Sequence, residues 1–196
     1  MQPSNPSLDG CSAALIAKVN ATIQKYGDVA AMQRRYTADI APLLNDPSRR
    51  DVLIGNPTLP SCTVMCKAYG QPNVSVIVEG YLAAFGDAMG ATYTGEQLKQ
   101  IAGDVLSAYH YFTLAEVLLA LKMGREGKFR DAQGNNVAKT YGTMSAAVVL
   151  DVLYYFNKNV RFVEIDRRER NKVQATTANF AEFLQSKELQ RRLNNG

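Results

Sequence analysis

The sequence lacks features that several common protein classes require. It has no tryptophan, one histidine and only three cysteines in 196 residues. A small, odd number of cysteines disfavours the disulfide framework of small secreted proteins. Nowhere do about 18 apolar residues follow one another, and no basic leader precedes an apolar run near the first residue. We therefore expect a cytoplasmic protein that makes no contact with a membrane.

Charge of one sign is also scarce, because 22 basic and 18 acidic residues leave a formal net charge of +4. An excess this small does not by itself predict nucleic-acid binding. Apolar residues make up 46% of the chain and charged residues 20%, which is typical of folded soluble proteins. We expect one helical domain over residues 1–170, followed by a partly mobile C-terminal tail over 171–196. A possible last helix in that tail contains Phe180, Phe183 and Leu184.

The cysteines and the histidine are the only candidates for a metal site. Cys62 and Cys66 lie four residues apart, which places them on one face of a helix. Cys11 and His110 would complete a four-ligand zinc set. Small buried thiols are more often packing residues, so we predict no metal and no cofactor. His110 lies in the aromatic sequence YHYF, which favours a core or capping role over general-base catalysis.

Catalytic motifs are also missing from the sequence. The serines are not in a nucleophile-elbow sequence, and no carboxylate pair lies next to a metal-type ligand set. We therefore expect a protein that is not an enzyme.

Helical periodicity is the strongest structural signal in the chain. Apolar residues between Val74 and Met89 follow the i, i+3, i+4, i+7 spacing of an amphipathic helix. Two capping boxes, TGEQ from Thr94 and TLAE from Thr113, predict two further helices joined by a tight corner. Thr143 is expected to cap a longer helix that is apolar on nearly every side and therefore central. These patterns predict an all-α, multi-helix single domain.

A basic and glycine-rich stretch, residues 122–142, separates two of these apolar helices. It contains five basic residues against two acidic ones. A nucleotide-binding loop is excluded, because Gly124 and Gly127 are separated by two residues and not four. Glycine beside asparagine in QGNN favours a tight turn, so we expect a small β-hairpin between Lys128 and Tyr141. The hairpin would be inserted between two core helices.

Helix, corner, helix and hairpin follow each other in the order of a winged helix-turn-helix. The helix that would enter the major groove, residues 113–123, is rich in leucine and has no polar reading face. We therefore expect no sequence-specific DNA recognition. The remaining interpretation is a wing-like hairpin that contacts DNA or RNA non-specifically.

Lysine and arginine side chains in such a hairpin would neutralise phosphates, and asparagines would hydrogen-bond bases or sugars. The candidate nucleic-acid-binding residues are Lys122, Arg125, Lys128, Arg130, Asn135, Asn136 and Lys139. The alternative for this stretch is an ordinary solvated loop. The alternative for the whole protein is an interaction or assembly module that contacts its partner through the first two helices or the C-terminal tail.

Several short motifs occur in a fixed order between residues 57 and 170: PTL, Tyr-Gly, the TGEQ helix, YFTLAE, GKF and a second Tyr-Gly. In this order they resemble a family of unknown function encoded by Bacteroidales and by their phages and mobile elements. The loop RDAQGNNVAKT is longer than the family pattern. The resemblance implies a phage or mobile-element context, with replication as one option, and implies no catalytic residues. The matching positions are Pro57, Leu59, Tyr69, Gly70, Thr94, Gln97, Tyr109, Phe112, Ala115, Glu116, Gly127, Lys128, Phe129, Tyr141 and Gly142.

Overall fold

The computed structural model describes residues 11–140 and 142–177, and over these residues the protein is all-helical. None of the helices in these ranges is long and apolar enough to cross a membrane. A π-helical turn, Asn157–Arg161, follows the seventh α-helix, and residues 162–177 continue as a further helix that we label α8. The other elements are α1 (Ala13–Tyr26), α2 (Val29–Asn45), a 3-10 helix (Pro47–Leu53), α3 (Cys62–Tyr69), α4 (Gln71–Ala88), α5 (Gly95–Ala108), α6 (Leu114–Arg125) and α7 (Ala146–Phe156).

Side-chain caps set the beginnings of the central helices. The two predicted capping boxes are confirmed, because the side chains of Thr94 and Thr113 each accept a backbone hydrogen bond, and their own backbone N–H groups donate to the side chains of Gln97 and Glu116 in return. The predicted cap of α7 is wrong. Ser145, not Thr143, caps that helix, and Thr143 instead forms a bridge with Thr92 in the loop before α5.

Helix α6 lies at the centre of the core and packs against α4, α7 and the 3-10 helix. Leu114, Val117 and Leu119 are fully buried. A Cβ atom added to Gly124 would lie 2.8 Å from a methyl carbon of Val152, so the crossing with α7 depends on glycine. Because α6 is enclosed in this way, it presents no polar face to a DNA groove, as the sequence predicted.

The β-hairpin predicted between Lys128 and Tyr141 is wrong, and the wing-like insertion with it. Within residues 128–140 the structure has one isolated antiparallel bridge, between Arg130 and Asn136, and no strand. Tyr141 itself lies outside the described residues. The protein is therefore all-α over the described ranges, without a winged-helix element.

The carboxylate of Asp131 explains why a compact loop forms in place of a hairpin. It accepts hydrogen bonds from the backbone N–H groups of Gln133, at 2.9 Å, and Asn135, at 2.8 Å. These donors face a side chain and are not available to an opposite strand. Phe129 and Ala138 are 2% and 0% exposed, so both sides of the loop are anchored in the core. The two ends of the loop are consequently held in the core, while residues 132–135 between them are exposed.

Ion pairs and hydrogen bonds hold α8 against the 3-10 helix. Arg168 donates to the carbonyl of Ile54 at 2.6 Å and also to the carbonyl of Asp51. Glu164 accepts hydrogen bonds from Arg167 and Arg168. The charged side chains of α8 therefore pair with one another and with the 3-10 helix. The possible last helix around Phe180, Phe183 and Leu184 lies outside the described residues.

Candidate functional site

A cleft with a volume of about 520 Å³ opens between α1, the loop 55–61, the corner before α6 and the π-helical turn. We call it the Arg161 cleft. Lys18 and Lys25 from α1 and Arg161 from the π-helical turn line it, together with one carboxylate, Glu116. Proline, leucine, valine and tyrosine make up about half of the remaining lining residues, and threonine, serine, asparagine, alanine and glycine make up the others. No pattern in the sequence predicts this site.

The loop wall of the cleft is stiff because its backbone is held locally. Asn56 accepts hydrogen bonds from the backbone N–H and the hydroxyl of Thr58, at 2.9 and 2.8 Å. Gly55 has a φ of +56°, and a Cβ atom there would lie 3.0 Å from Ile165 of α8. Glycine is therefore required at this position both by the backbone conformation and by the approach of α8. The wall has its shape before any ligand arrives.

The corner wall is tied to the beginning of α3. The N–H of Cys62 donates to the carbonyl of Phe112 at 2.6 Å, and the N–H of Thr63 donates to the carbonyl of His110 at 2.9 Å. The imidazole of His110 is exposed, and its Nδ1 lies 3.2 Å from the carbonyl of Ser107 near the end of α5. Of the two roles predicted for His110, core or capping, this contact is of the capping kind.

Glu116 joins three walls of the cleft although its side chain is almost completely inaccessible to solvent. One carboxylate oxygen accepts a hydrogen bond from the N–H of Thr113 at 2.8 Å. The other accepts from the N–H of Gly55 at 2.8 Å and from Nε of Arg161 at 2.9 Å. A buried carboxylate is costly unless such donors surround it. This single side chain therefore fixes α6, the loop 55–61 and the π-helical turn relative to one another.

Arg161 is held by Glu116 and by two neighbouring aromatic rings. Its guanidinium carbon lies 5.2 Å from the ring centroid of Tyr111 and 5.1 Å from that of Phe112, and because these centroids are 5.1 Å apart, both rings lie on the same side of it as cation–π partners. Nε is bound to Glu116, and its two terminal nitrogens have no acceptor among the described residues. The side chain is 19% exposed. The terminal N–H groups are therefore available to a ligand in the cleft.

The π-helical turn decides where Arg161 points. A turn widened by one residue rotates everything that follows by roughly 100° relative to a regular α-helix. Such turns are frequent at functional sites. Sequence patterns carry no clear signal for this turn, which is why Arg161 was not singled out.

The α1 wall contributes a second region of positive charge. The ammonium of Lys25 lies 3.0 Å from a carboxylate oxygen of Asp39 and 4.6 Å from the ring centroid of Tyr26. Burial acts to lower the pKa of Lys25, but hydrogen bonds with Tyr26 and Asp39 raise it above its ordinary value overall. Burial raises the pKa of Tyr26, which stays neutral. Lys18 is exposed, and its ammonium has no partner in the part of the chain described.

The seven residues predicted to bind nucleic acid contact different parts of the protein. The ammonium of Lys122 donates to the carbonyl of Leu44 at 3.0 Å and to the side chain of Asn45 at 3.3 Å. Lys122 thus caps the C-terminal end of α2, where a positive charge is favourable. Arg125 is exposed and borders a small hollow beside Tyr81.

Within the loop, three further candidates are engaged by neighbouring groups. Arg130 donates to the carbonyl of Gly134 at 3.0 Å. The side-chain amide of Asn135 donates to Asp131 at 3.1 Å, and hydrogen bonds from Asn135 hold the pKa of Asp131 below its ordinary value. The side-chain oxygen of Asn136 accepts a backbone N–H at 3.1 Å. These contacts shape the loop.

Lys128 and Lys139 are exposed. Arg125, Lys128 and Arg130 form no ion pair with a carboxylate in the described ranges. Near the end of α6, Arg125, Lys128 and Arg130 are therefore exposed cations without an ion pair among the described residues, although Arg130 also donates to the carbonyl of Gly134. Nucleic-acid binding by the seven residues stays a prediction.

The cysteines take ordinary packing positions in the structure. Cys62 is buried, and burial raises the pKa of its thiol. Cys66 is half-buried, and burial raises its pKa too. No group of three or more metal-ligating side chains lies together in the described residues.

Comparison with protein-family models, curated proteins and solved structures found no match. The resemblance to the Bacteroidales family therefore stays a prediction.

Proposed function

We propose that this protein is a non-enzymatic interaction module that binds a negatively charged segment of a partner protein in the Arg161 cleft. The observation that carries the proposal is that Arg161 lines the cleft and that its two terminal nitrogens have no acceptor among the described residues. Lys18 on the opposite wall adds a second charge without a partner in the described chain. A surface with these groups attracts anions and steers their approach.

The chemistry of the cleft favours binding over catalysis. Glu116 is the one carboxylate that lines it, and hydrogen bonds from three donors occupy both of its oxygens. A general base needs an oxygen that can reach a substrate proton, and the side chain of Glu116 is only 1% exposed. Lys18 and Lys25 belong to α1, so the cleft includes the first helix, one of the surfaces predicted for an interaction module.

A pool of random peptides passed over the immobilised protein tests the proposal. The retained fraction, sequenced by mass spectrometry, is expected to be enriched in peptides of net negative charge, with retention that weakens as salt rises. Ala21→Phe places a ring in the cleft from an exposed position on α1 and is expected to abolish retention. Ala38→Phe, at an exposed position on α2 outside the cleft, is the matched control. Equal retention by both variants would contradict the proposal.

A second candidate function is non-specific DNA or RNA binding, and it is supported by the three exposed cations near the end of α6. Arg125, Lys128 and Arg130 lie within six residues and form no ion pair among the described residues. The motif resemblance adds support for a phage or mobile-element context in the cytoplasm. In this reading the contacts are with phosphates alone, because the loop asparagines are occupied within the loop.

The dependence of affinity on salt distinguishes this candidate from the first. Replacing Arg125, Lys128 and Arg130 with glutamine is expected to weaken the binding of a fluorescent oligonucleotide and to reduce the slope of log affinity against log salt by about 3. Replacing Arg34, Arg49 and Lys99, which are exposed on other elements, removes the same charge and serves as the control. Equal slopes for the two triple variants would reject the loop as a nucleic-acid site.

A further inference from the structure

The contacts that hold Arg161 restrict which anionic groups it can bind. This inference rests on the proposed function, in which the cleft is the binding surface. We infer that the cleft binds the C-terminal carboxylate of a partner protein whose last side chain is apolar. Three features support this inference: the terminal nitrogens of Arg161 without an acceptor among the described residues, the small number of unpaired positive charges in the cleft, and the apolar residues that line it.

The open edge of Arg161 matches a carboxylate. Glu116 occupies Nε at 2.9 Å, which leaves the two terminal nitrogens pointing away from it. Two parallel N–H groups on a planar fork pair with the two oxygens of one carboxylate. The rings of Tyr111 and Phe112 lie about 5 Å from the guanidinium carbon and, with the hydrogen bond to Glu116, hold the side chain before a ligand arrives. Little conformational freedom is therefore lost when the carboxylate binds.

The positively charged side chains of the cleft can balance one negative charge on a ligand, but not the two charges of a phosphate monoester. Glu116 already offsets the charge of Arg161, and Lys25 is paired with Asp39 at 3.0 Å. Lys18 remains, but it is exposed, so solvent screens its charge.

The N-terminus of α3, beside the cleft, is not open to a phosphate either. The first two N–H groups of the helix donate to the carbonyls of Phe112 and His110, and the third donates to the hydroxyl of Ser61. Phosphate sites at helix N-termini depend on such groups being free. A carboxylate needs only the fork of Arg161.

The apolar wall favours a chain terminus over an internal aspartate or glutamate. Pro57, Leu59, Pro60 and Val64 line the same cleft as Arg161. A C-terminal residue carries its carboxylate and its side chain on one carbon atom, so both can be bound at once. An internal acidic residue brings a peptide group on each side, and these groups would lose their hydrogen bonds to water against an apolar wall. The wall therefore selects a terminus with an apolar last residue.

Fluorescent pentapeptides test the inference directly. One probe ends in leucine with a free carboxylate, the second is the same peptide with a C-terminal amide, and the third is an amidated peptide with one internal glutamate. Phenylpropionate and inorganic phosphate serve as competitors. We expect the free carboxylate to bind more tightly than either amidated probe by about tenfold or more, because charge-assisted hydrogen bonds are lost from the amide.

Arg161→Lys keeps the charge and removes the fork, so it is expected to weaken binding of the free-carboxylate peptide about ten- to a hundredfold. Thermal unfolding of the variant checks its fold. Ala21→Phe is the second variant, since its exposed position leaves the fold intact while the ring fills the cleft. Ala38→Phe is expected to bind like the original protein.

Each outcome separates the carboxylate inference from the proposed function. Equal binding of the acid and amide peptides, or binding of the internal-glutamate peptide as tightly as the free acid, overturns the inference. The proposed function then stands, provided that Ala21→Phe abolishes the binding. Competition by phosphate that is as strong as by phenylpropionate also overturns the inference. If no peptide binds and phenylpropionate does, the partner-protein function itself is overturned, and with it the chain terminus as the source of the carboxylate.

Discussion

Replacement of Glu116 by alanine removes the carboxylate that connects α6, the loop 55–61 and the π-helical turn. Three donors then lose their acceptor: the N–H groups of Gly55 and Thr113 and the guanidinium of Arg161. The side chain of Arg161 is 19% exposed, so its charge would be stranded mostly in the interior. The variant therefore tests whether this network stabilises the fold as well as the cleft.

The expected cost follows from the burial of the pair. Removing one partner of a buried ion pair typically destabilises a protein by about 3–5 kcal/mol. Water can reach Arg161 from the cleft, so we expect the lower end, about 3 kcal/mol. For a chain of 196 residues this corresponds to a decrease in Tm of about 6–12 °C. Arg161→Ala leaves the carboxylate of Glu116 with two donors and should cost less, about 2 kcal/mol.

Urea denaturation followed by far-UV circular dichroism, on the two single variants and the double variant, measures these values. The double variant is expected to be more stable than the sum of the single effects predicts, by about 1–3 kcal/mol, because it contains neither stranded charge. A cost below about 1 kcal/mol for Glu116→Ala, or strictly additive effects, would refute the reasoning.

Three further measurements test other parts of the structure. Phe129→Ala is expected to lower the free energy of unfolding, measured by urea denaturation, by about 3–5 kcal/mol because the ring anchors the loop in the core. Arg130→Ala should change it by less than about 0.5 kcal/mol. A larger effect of Arg130→Ala than of Phe129→Ala would contradict the anchoring of the loop by Phe129. Hydrogen bonds from Arg167 hold the pKa of Glu164 below its ordinary value, so its contribution to stability is present above about pH 4.3 and is lost as the pH falls through the lower folded pKa. Glu164→Gln should remove that part of the acid-induced loss, and an unchanged pH profile would contradict the assignment. A thiol reagent at neutral pH should modify Cys62 only after denaturation, because the residue is buried and its pKa is raised, and rapid labelling of the folded protein would show a looser core.

The candidate nucleic-acid residues show that local composition predicts which segment is rich in charge but not where each charged side chain lies. The sequence shows that 122–142 is rich in cations, and Arg125 and Lys128 are indeed exposed. It does not show that Lys122 turns to the end of α2, because that contact joins residues 78 positions apart. Asp131 has a similar effect nearby. Its carboxylate accepts hydrogen bonds from N–H groups that a partner strand would otherwise bind, and the strand therefore does not form.

The positions of the helices can be predicted from the sequence alone, because caps and apolar spacing involve residues close together in the chain. The cap at Thr94 and the apolar spacing of α5 involve residues three or four positions apart, which meet as soon as one helical turn forms. The Arg161 cleft depended on the tertiary structure. Glu116 and Arg161 are 45 positions apart, and Gly55 lies 61 positions from Glu116. These groups come within hydrogen-bonding distance only when α6 and α8 pack together around the π-helical turn that joins α7 to α8. No local sequence pattern predicts contacts between residues so far apart in the chain.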